Sequence, residues 1–422
     1  MTYPITHWYG IRPEFISKDR LMEAQEAGFT IIECDYDRDT NLKVLAWCRE
    51  LGLEAHVRDE RIGKALDNAE GWETMLDELA EDYALYNDII QGFFIRDEPM
   101  DNLFPELGRV AAYLHGKGLK EYINLLPYHA PMGFFTNEGE TMHDRYQRHL
   151  DGFCDAVKPT ILSYDHYNLG MEEVPEGEAI GDRTLARLSE ANRARNGWET
   201  KVYVEKDTPN YYNNLEIIRD TAAARNIPWM DIILLVEHWG YRWLTDEELR
   251  WEAFTALAYG STALSYFTYW TPGVDHDEPW SYQNGIILSN GIRGEKYAVV
   301  KQLNRELQTM YGGLALPLPG ETDTPTAMVS KAVFHVGEEI DELVKPFAGY
   351  GKLTAVTGNR HIVGCFEGNR FIVTNKDFKA PATVTLTADG TLYRLDKYTG
   401  TWVVCDGTFT IKAGDAEMFA VI

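Results

Sequence analysis

Residues 89–99 read Ile89-Ile90-Gln91-Gly92-Phe93-Phe94-Ile95-Arg96-Asp97-Glu98-Pro99. The run is apolar, of strand length and rich in β-branched and aromatic side chains, as in a strand buried on both faces. It stops on two carboxylates and a proline. In a parallel barrel the C-terminal strand ends carry the chemistry, so Asp97 and Glu98 are candidate site residues. A carboxyl walled by aromatics has a raised pKa, as a general acid needs. The plainer alternative is a capping or salt-bridged Asp-Glu pair at a strand-to-helix turn. The rest of the chain decides between them.

Working outward, short apolar strands alternate with amphipathic helical stretches up to about residue 315. The strands are expected at 8–12, 30–36, 54–59, 89–96, 121–126, 160–167, 231–237 and 263–270. Eight strands alternating with helices is the count of a (β/α)8 TIM barrel, an α/β fold. Gly28, Gly52, Gly118 and Gly260 stand where helix C-caps need a left-handed residue. Thr245-Asp246-Glu247-Glu248 reads as a capping box. A strand-like piece at 201–205 would make nine strands, so 168–214 is read as an insertion in the sixth βα connection. From 322 to 422 helical periodicity stops. Nine alternating segments with turns between them predict a C-terminal antiparallel β-sandwich, the first at 327–334 and the last at 417–422. The domains are thus 1–315, the barrel, and 322–422, the sandwich.

The net charge of -26 excludes nucleic acid or an anionic membrane as a partner, because both would repel it. Five cysteines without a CxxC pair suit a reducing compartment. No signal-peptide pattern opens the sequence and no apolar run approaches membrane-spanning length, so a cytoplasmic location is expected. With no Gly-rich phosphate motif, no Ser nucleophile elbow and no CxxC pair, no cofactor is expected. A homo-oligomer is compatible with the sequence, which does not fix the oligomeric state.

Taken in order, the strand ends form a ring. They supply Trp8; Glu33; Arg58; Asp97 and Glu98; Asn124; Tyr164, Asp165, His166 and Tyr167; Glu237, His238 and Trp239; and Tyr266, Tyr269 and Trp270. Sugars ask for that mixture: carboxylates accept hydroxyl hydrogen bonds and aromatic faces stack on pyranose C–H faces. A carbohydrate substrate is therefore expected. Glu98 and Glu237, on strands four and seven, are the best acid–base pair. The alternative for Glu237 is a buried Glu-His structural pair. Retaining glycosidases hold two carboxyls about 5–5.5 Å apart, and inverting ones about 6.5–9.5 Å.

This arrangement resembles the clan of (β/α)8 glycoside hydrolases with acid/base on strand four and nucleophile on strand seven, which includes the family 42 β-galactosidases. The stretches 251–260, 264–270 and 301–307 are similar to that group's last barrel units. The resemblance implies an exo-acting retaining glycosidase of the β-galactosidase or β-glucosidase kind, with Glu98 as acid/base and Glu237 as nucleophile. One residue departs from the pattern. The clan has Asn before the strand-four Glu, and this chain has Asp97. Asp97-Glu98 is also similar to the substrate-assisted N-acetylhexosaminidases, in which the Asp orients a 2-acetamido nucleophile. Two further alternatives are a metal-dependent sugar isomerase or epimerase using Glu33, Asp165, His166 and Glu237, and a non-catalytic sugar-binding protein.

Overall fold

The computed structural model describes residues 2–130, 139–273, 281–321, 329–337 and 342–422. Eight parallel strands make one sheet: Ile5–Trp8, Ile31–Asp35, Glu54–Arg58, Ile90–Asp97, Glu121–Leu125, Leu162–Asp165, Trp229–Leu234 and Ala263–Phe267. From the second to the eighth, each pairs with its neighbours in sequence order, and the eighth pairs with the first. The ring closes between the first and second strands, where the Thr30 N–H donates to the Ile5 carbonyl at 2.9 Å. Trp8, Tyr122, Met230, Ile232 and Ala263 fill the interior, with Phe94 and Phe267 packed on them. This is a TIM barrel whose centre is a packed core.

Local chemistry sets the element ends. Gly52 caps the helix Arg38–Leu51 with φ 70°, a conformation costly for a residue with Cβ. Thr245 and Glu248 form the reciprocal capping box that opens the helix Asp246–Ala258. The first strand runs earlier than expected because the chain turns at Tyr9, φ 49°, and Gly10. The piece near 201 is a strand, Tyr203–Glu205, but it pairs antiparallel with Met171–Glu173 outside the barrel, so the barrel keeps eight. No helix among the described residues is long and apolar enough to cross a membrane.

After the helix Tyr297–Leu314 the chain builds two antiparallel sheets, of six and three strands. Between them lie Val363, Phe371, Val373, Leu386 and Phe419, the inward halves of alternating strands. The first sandwich strand is Ala332–Val336. Residues 327 and 328 of the segment expected there, and position 322, lie outside the described residues. The six-stranded sheet presses on the helix Asp246–Ala258. A Cβ added to Gly364 would stand 2.0 Å from the Ala258 carbonyl oxygen, so only glycine allows that approach. Arg250 joins the units, donating to Glu306 at 2.6 Å and to Asp415 at 2.8 Å.

Candidate active site

The site begins with an irregularity in the fourth strand. Its register against the fifth strand slips between Phe94 and Arg96, so Phe94 pairs with Tyr122 and Asp97 with Asn124. In a regular strand residues 94, 96 and 98 would share a face. The extra residue brings Asp97 onto the inward face instead, as bulges beside active sites do. Glu98 follows with φ 43°, in the left-handed region, which costs a residue with Cβ about 1–2 kcal/mol. Its N–H donates to the Asn124 carbonyl at 2.9 Å. Bulge and turn together aim two adjacent carboxyls into one space.

That space is a cavity of about 1200 Å³ at the C-terminal mouth of the barrel. Seven of the eight barrel strands contribute lining residues, and the connection after the seventh supplies His238 and Tyr241. The sequence-expected residues that line it are Trp8, Glu33, Arg58, Asp97, Glu98, Asn124, Asp165, Tyr167, His238 and Trp270. Asn124 organises the centre. Its Nδ2 donates to Asp97 Oδ1 at 3.1 Å and to Asp165 Oδ1 at 3.3 Å, while its Oδ1 accepts from Ser163 Oγ at 3.2 Å. Two carboxyls therefore stand within reach of one amide. Asp165 lies close enough to Glu98 for the two carboxyls to influence each other's ionisation.

Three acids so close cannot all ionise cheaply. Burial, then the Asp97 charge, pushes the Glu98 carboxyl up to about 7, against the lowering effect of neighbouring Asp165. Burial, then Glu98 and Asp97, holds Asp165 well above the carboxylate range. Burial raises Asp97 too, with Asn124 pulling it back. Asp97 and Glu98 remain open to the water of the cavity, which tempers these shifts, whereas Asp165 is buried. Burial lowers His238 to about 4, so it faces the cavity as a neutral imidazole.

Six expected residues do not line this cavity. Tyr164 and Tyr266 fall on the outward parity of their strands. Tyr164 packs near Trp229, and Tyr266 donates to Asn304 Oδ1 at 2.7 Å in the helix layer. Tyr269 stacks on His7 at 4.8 Å, likewise outside the barrel. His166, one residue past Asp165, turns away and uses both ring nitrogens on Asn214 and Thr208. Trp239 is 54% exposed at the tip of the turn that joins His238 to Tyr241. Glu237 lies beyond the end of its strand, where parity no longer applies. It is 0% exposed, and its oxygens accept from the Ser189 N–H at 2.9 Å and from Asn284 Nδ2 at 2.8 Å. Its carboxylate ties the 168–214 segment to the loop after the eighth strand.

Sequence reasoning passed over Tyr241, Tyr282, Phe94 and Phe267, which also line the cavity. Phe94 and Phe267 face inward because strand register sets them beside Tyr122 and Trp8. Tyr241 and Tyr282 sit in connections without a period, and no local pattern marks them. Among the described residues no group of three or more His, Cys, Asp or Glu side chains is arranged to hold a metal ion. The four ligands of the isomerase alternative are dispersed, since His166 and Glu237 point elsewhere.

No family model matches the chain, and a search of curated proteins finds no match. Solved structures with a similar course include a family 39 glycoside hydrolase from the gut symbiont Bacteroides cellulosilyticus WH2. It is 11% identical with TM-score 0.46, over 100% of this chain and 81% of that one. A GH27 β-L-arabinopyranosidase from Geobacillus stearothermophilus is 8% identical with TM-score 0.42, over 100% and 97%. An endo-β-1,4-glucanase from Xanthomonas axonopodis pv. citri is 7% identical with TM-score 0.43, over 70% and 91%. Overlaps this low carry no functional information.

Proposed function

We propose that the chain is a glycoside hydrolase acting on small glycosides or chain ends, with Glu98 as general acid. The observation that supports this is the Asp97–Glu98–Asp165 carboxyl cluster around Asn124, in an aromatic-walled cavity at the barrel mouth. Glu98, kept protonated near neutrality, gives its proton to the glycosidic oxygen as the bond to the anomeric carbon breaks. Asp165, itself held protonated by burial, donates to the carboxylate that Glu98 becomes. Glu98 then takes a proton from the incoming water. Asp97 is the second carboxylate, facing the positive charge that develops on the sugar. Trp8, Glu33, Arg58, Tyr167, His238 and Trp270 would surround the ring. The cavity is large for a small-molecule site, with room for more than one sugar unit.

The expected pairing of Glu98 with Glu237 is not retained in this reading, because the oxygens of Glu237 are occupied away from the cavity. Aryl α- and β-glycosides, with and without a 2-acetamido group, test the proposal against wild type, Glu98→Gln and Asp97→Asn. Hydrolysis of at least one substrate, lost in Glu98→Gln on poor leaving groups and largely kept on activated ones, is the expected result. Cleavage of 2-acetamido sugars alone would make Asp97 the orienter of a substrate nucleophile. A Glu98→Gln protein with wild-type turnover on poor leaving groups would overturn the assignment.

A further inference from the structure

Arg58, at the end of the third strand, is fixed on three sides. Its guanidinium carbon lies 3.7 Å from the centre of the Phe94 ring and 5.1 Å from that of Trp8. Its Nε donates to Glu33 Oε1 at 2.9 Å, and the other Glu33 oxygen accepts from the Gly10 N–H at 3.1 Å. A side chain held this way has little freedom left to lose on binding. Nη1 and Nη2 form no hydrogen bond among the described residues, and Arg58 lines the cavity. Asp35 stands beside it. Its Oδ2 is 3.7 Å from Arg58 Nε, beyond hydrogen-bond reach, and its side chain is 64% exposed. Asp35 accepts no side-chain hydrogen bond among the described residues. A planar pair of donors and a free acceptor thus open side by side into the same cavity.

We infer that Arg58 and Asp35 form a clamp for two adjacent hydroxyls of an uncharged sugar ring. One hydroxyl accepts from Arg58 Nη and its neighbour donates to Asp35, which uses the donor and acceptor that each hydroxyl carries. Charge points the same way. Glu33 neutralises Arg58, so Asp35 and nearby Asp97 leave the corner negative, and a uronate carboxylate is repelled there. This rests on the glycosidase reading and adds a substrate class to it: neutral sugars with a vicinal diol.

Calorimetric titration of methyl glycosides of glucose, galactose and mannose, their singly deoxygenated forms and methyl glucuronide into the full-length protein tests the clamp. At least one neutral glycoside should bind. Asp35→Ala and Arg58→Lys should each weaken it about tenfold, the scale of one lost hydrogen bond to a charged group. Removing the matching ring hydroxyl should cost the wild type as much and Asp35→Ala nothing further. The glucuronide should bind more weakly than its neutral counterpart. Asp35 is exposed, so an unchanged melting temperature should accompany the Asp35→Ala loss. Unaltered affinity in Asp35→Ala, or tighter binding of the glucuronide, would overturn the clamp and leave the glycosidase reading standing. Failure of the wild type to bind any of these sugars would sink both.

Discussion

Glu98 joins a strained backbone, a raised pKa and a place at the mouth of the cavity. Strain at a non-glycine residue persists only where the surroundings impose it, here the bulge before it and the Asn124 carbonyl that takes its N–H. Since the proton on Glu98 is the one delivered, kcat/KM should fall as pH rises through about 7. The Asp97 charge is one cause of that high value, so Asp97→Asn should move the alkaline limb to lower pH. A profile with the same limb in both proteins would remove Glu98 as the titrating acid. Stability carries the opposite sign from the usual acidic residue. A carboxyl whose pKa is raised by folding binds more protons folded than unfolded. It therefore stabilises the fold below its unfolded pKa, near 4, and that contribution is lost as pH climbs toward the folded value. Glu98→Gln should thus cut turnover about 10²–10⁴-fold on poor leaving groups and raise the melting temperature at pH 7. The rise should be small, on the order of 1–2 °C given the water in the cavity, and should vanish near pH 4.

At the scale of elements, the sequence made the eight strands legible because each is a short apolar run bounded by a cap or turn residue. The inward residues Trp8, Glu33, Arg58, Asn124 and Asp165 followed from those strands. What it did not reveal is parity. Tyr164 and Asp165 are neighbours of equal promise on paper, and the two-residue period sends one to the helix layer and the other to the carboxyl cluster. The bulge at residues 94–96 reverses that parity for Asp97 without a glycine or proline to announce it. Beyond strand ends even parity fails, and Glu237 is the example. If it anchors the 168–214 segment, Glu237→Gln should lower kcat less than tenfold on an activated aryl glycoside. Glu237→Ala should lower the melting temperature, since it orphans the Ser189 N–H and the Asn284 amide, each worth about 1–3 kcal/mol if left unpaired. A dead Glu237→Gln protein that azide rescues would instead make it the nucleophile. Trp239, at the tip of its turn, should tolerate Ala with unchanged kcat on monosaccharide glycosides.

For the molecule as a whole, the sandwich is more than an appended module. It covers the helix Asp246–Ala258, which follows directly on the connection carrying His238 and Tyr241. Trp251 and Phe254 of that helix are buried, and Arg250 binds Glu306 on the barrel's last helix and Asp415 in the sandwich. Movement of the sandwich should therefore reach the seventh-strand wall of the cavity. Two glycine substitutions separate this coupling from a general loss of fold. At Gly364 an added methyl group meets the Ala258 carbonyl oxygen at 2.0 Å, so the sheet must shift from the helix. Overpacking of that kind costs about 1–3 kcal/mol. At Gly312, inside the helix Tyr297–Leu314, an added Cβ meets nothing within 4 Å. There the gain in helix propensity, about 0.5–1 kcal/mol, should stabilise. Gly364→Ala is expected to lower the melting temperature and to reduce kcat/KM at temperatures where the protein is still folded. Gly312→Ala should raise the melting temperature and leave kcat/KM alone. If Gly364→Ala loses stability but keeps full kcat/KM well below its melting temperature, the sandwich holds the barrel together without bracing the site. The seventh-strand wall must then be kept in place by the 168–214 segment through Glu237.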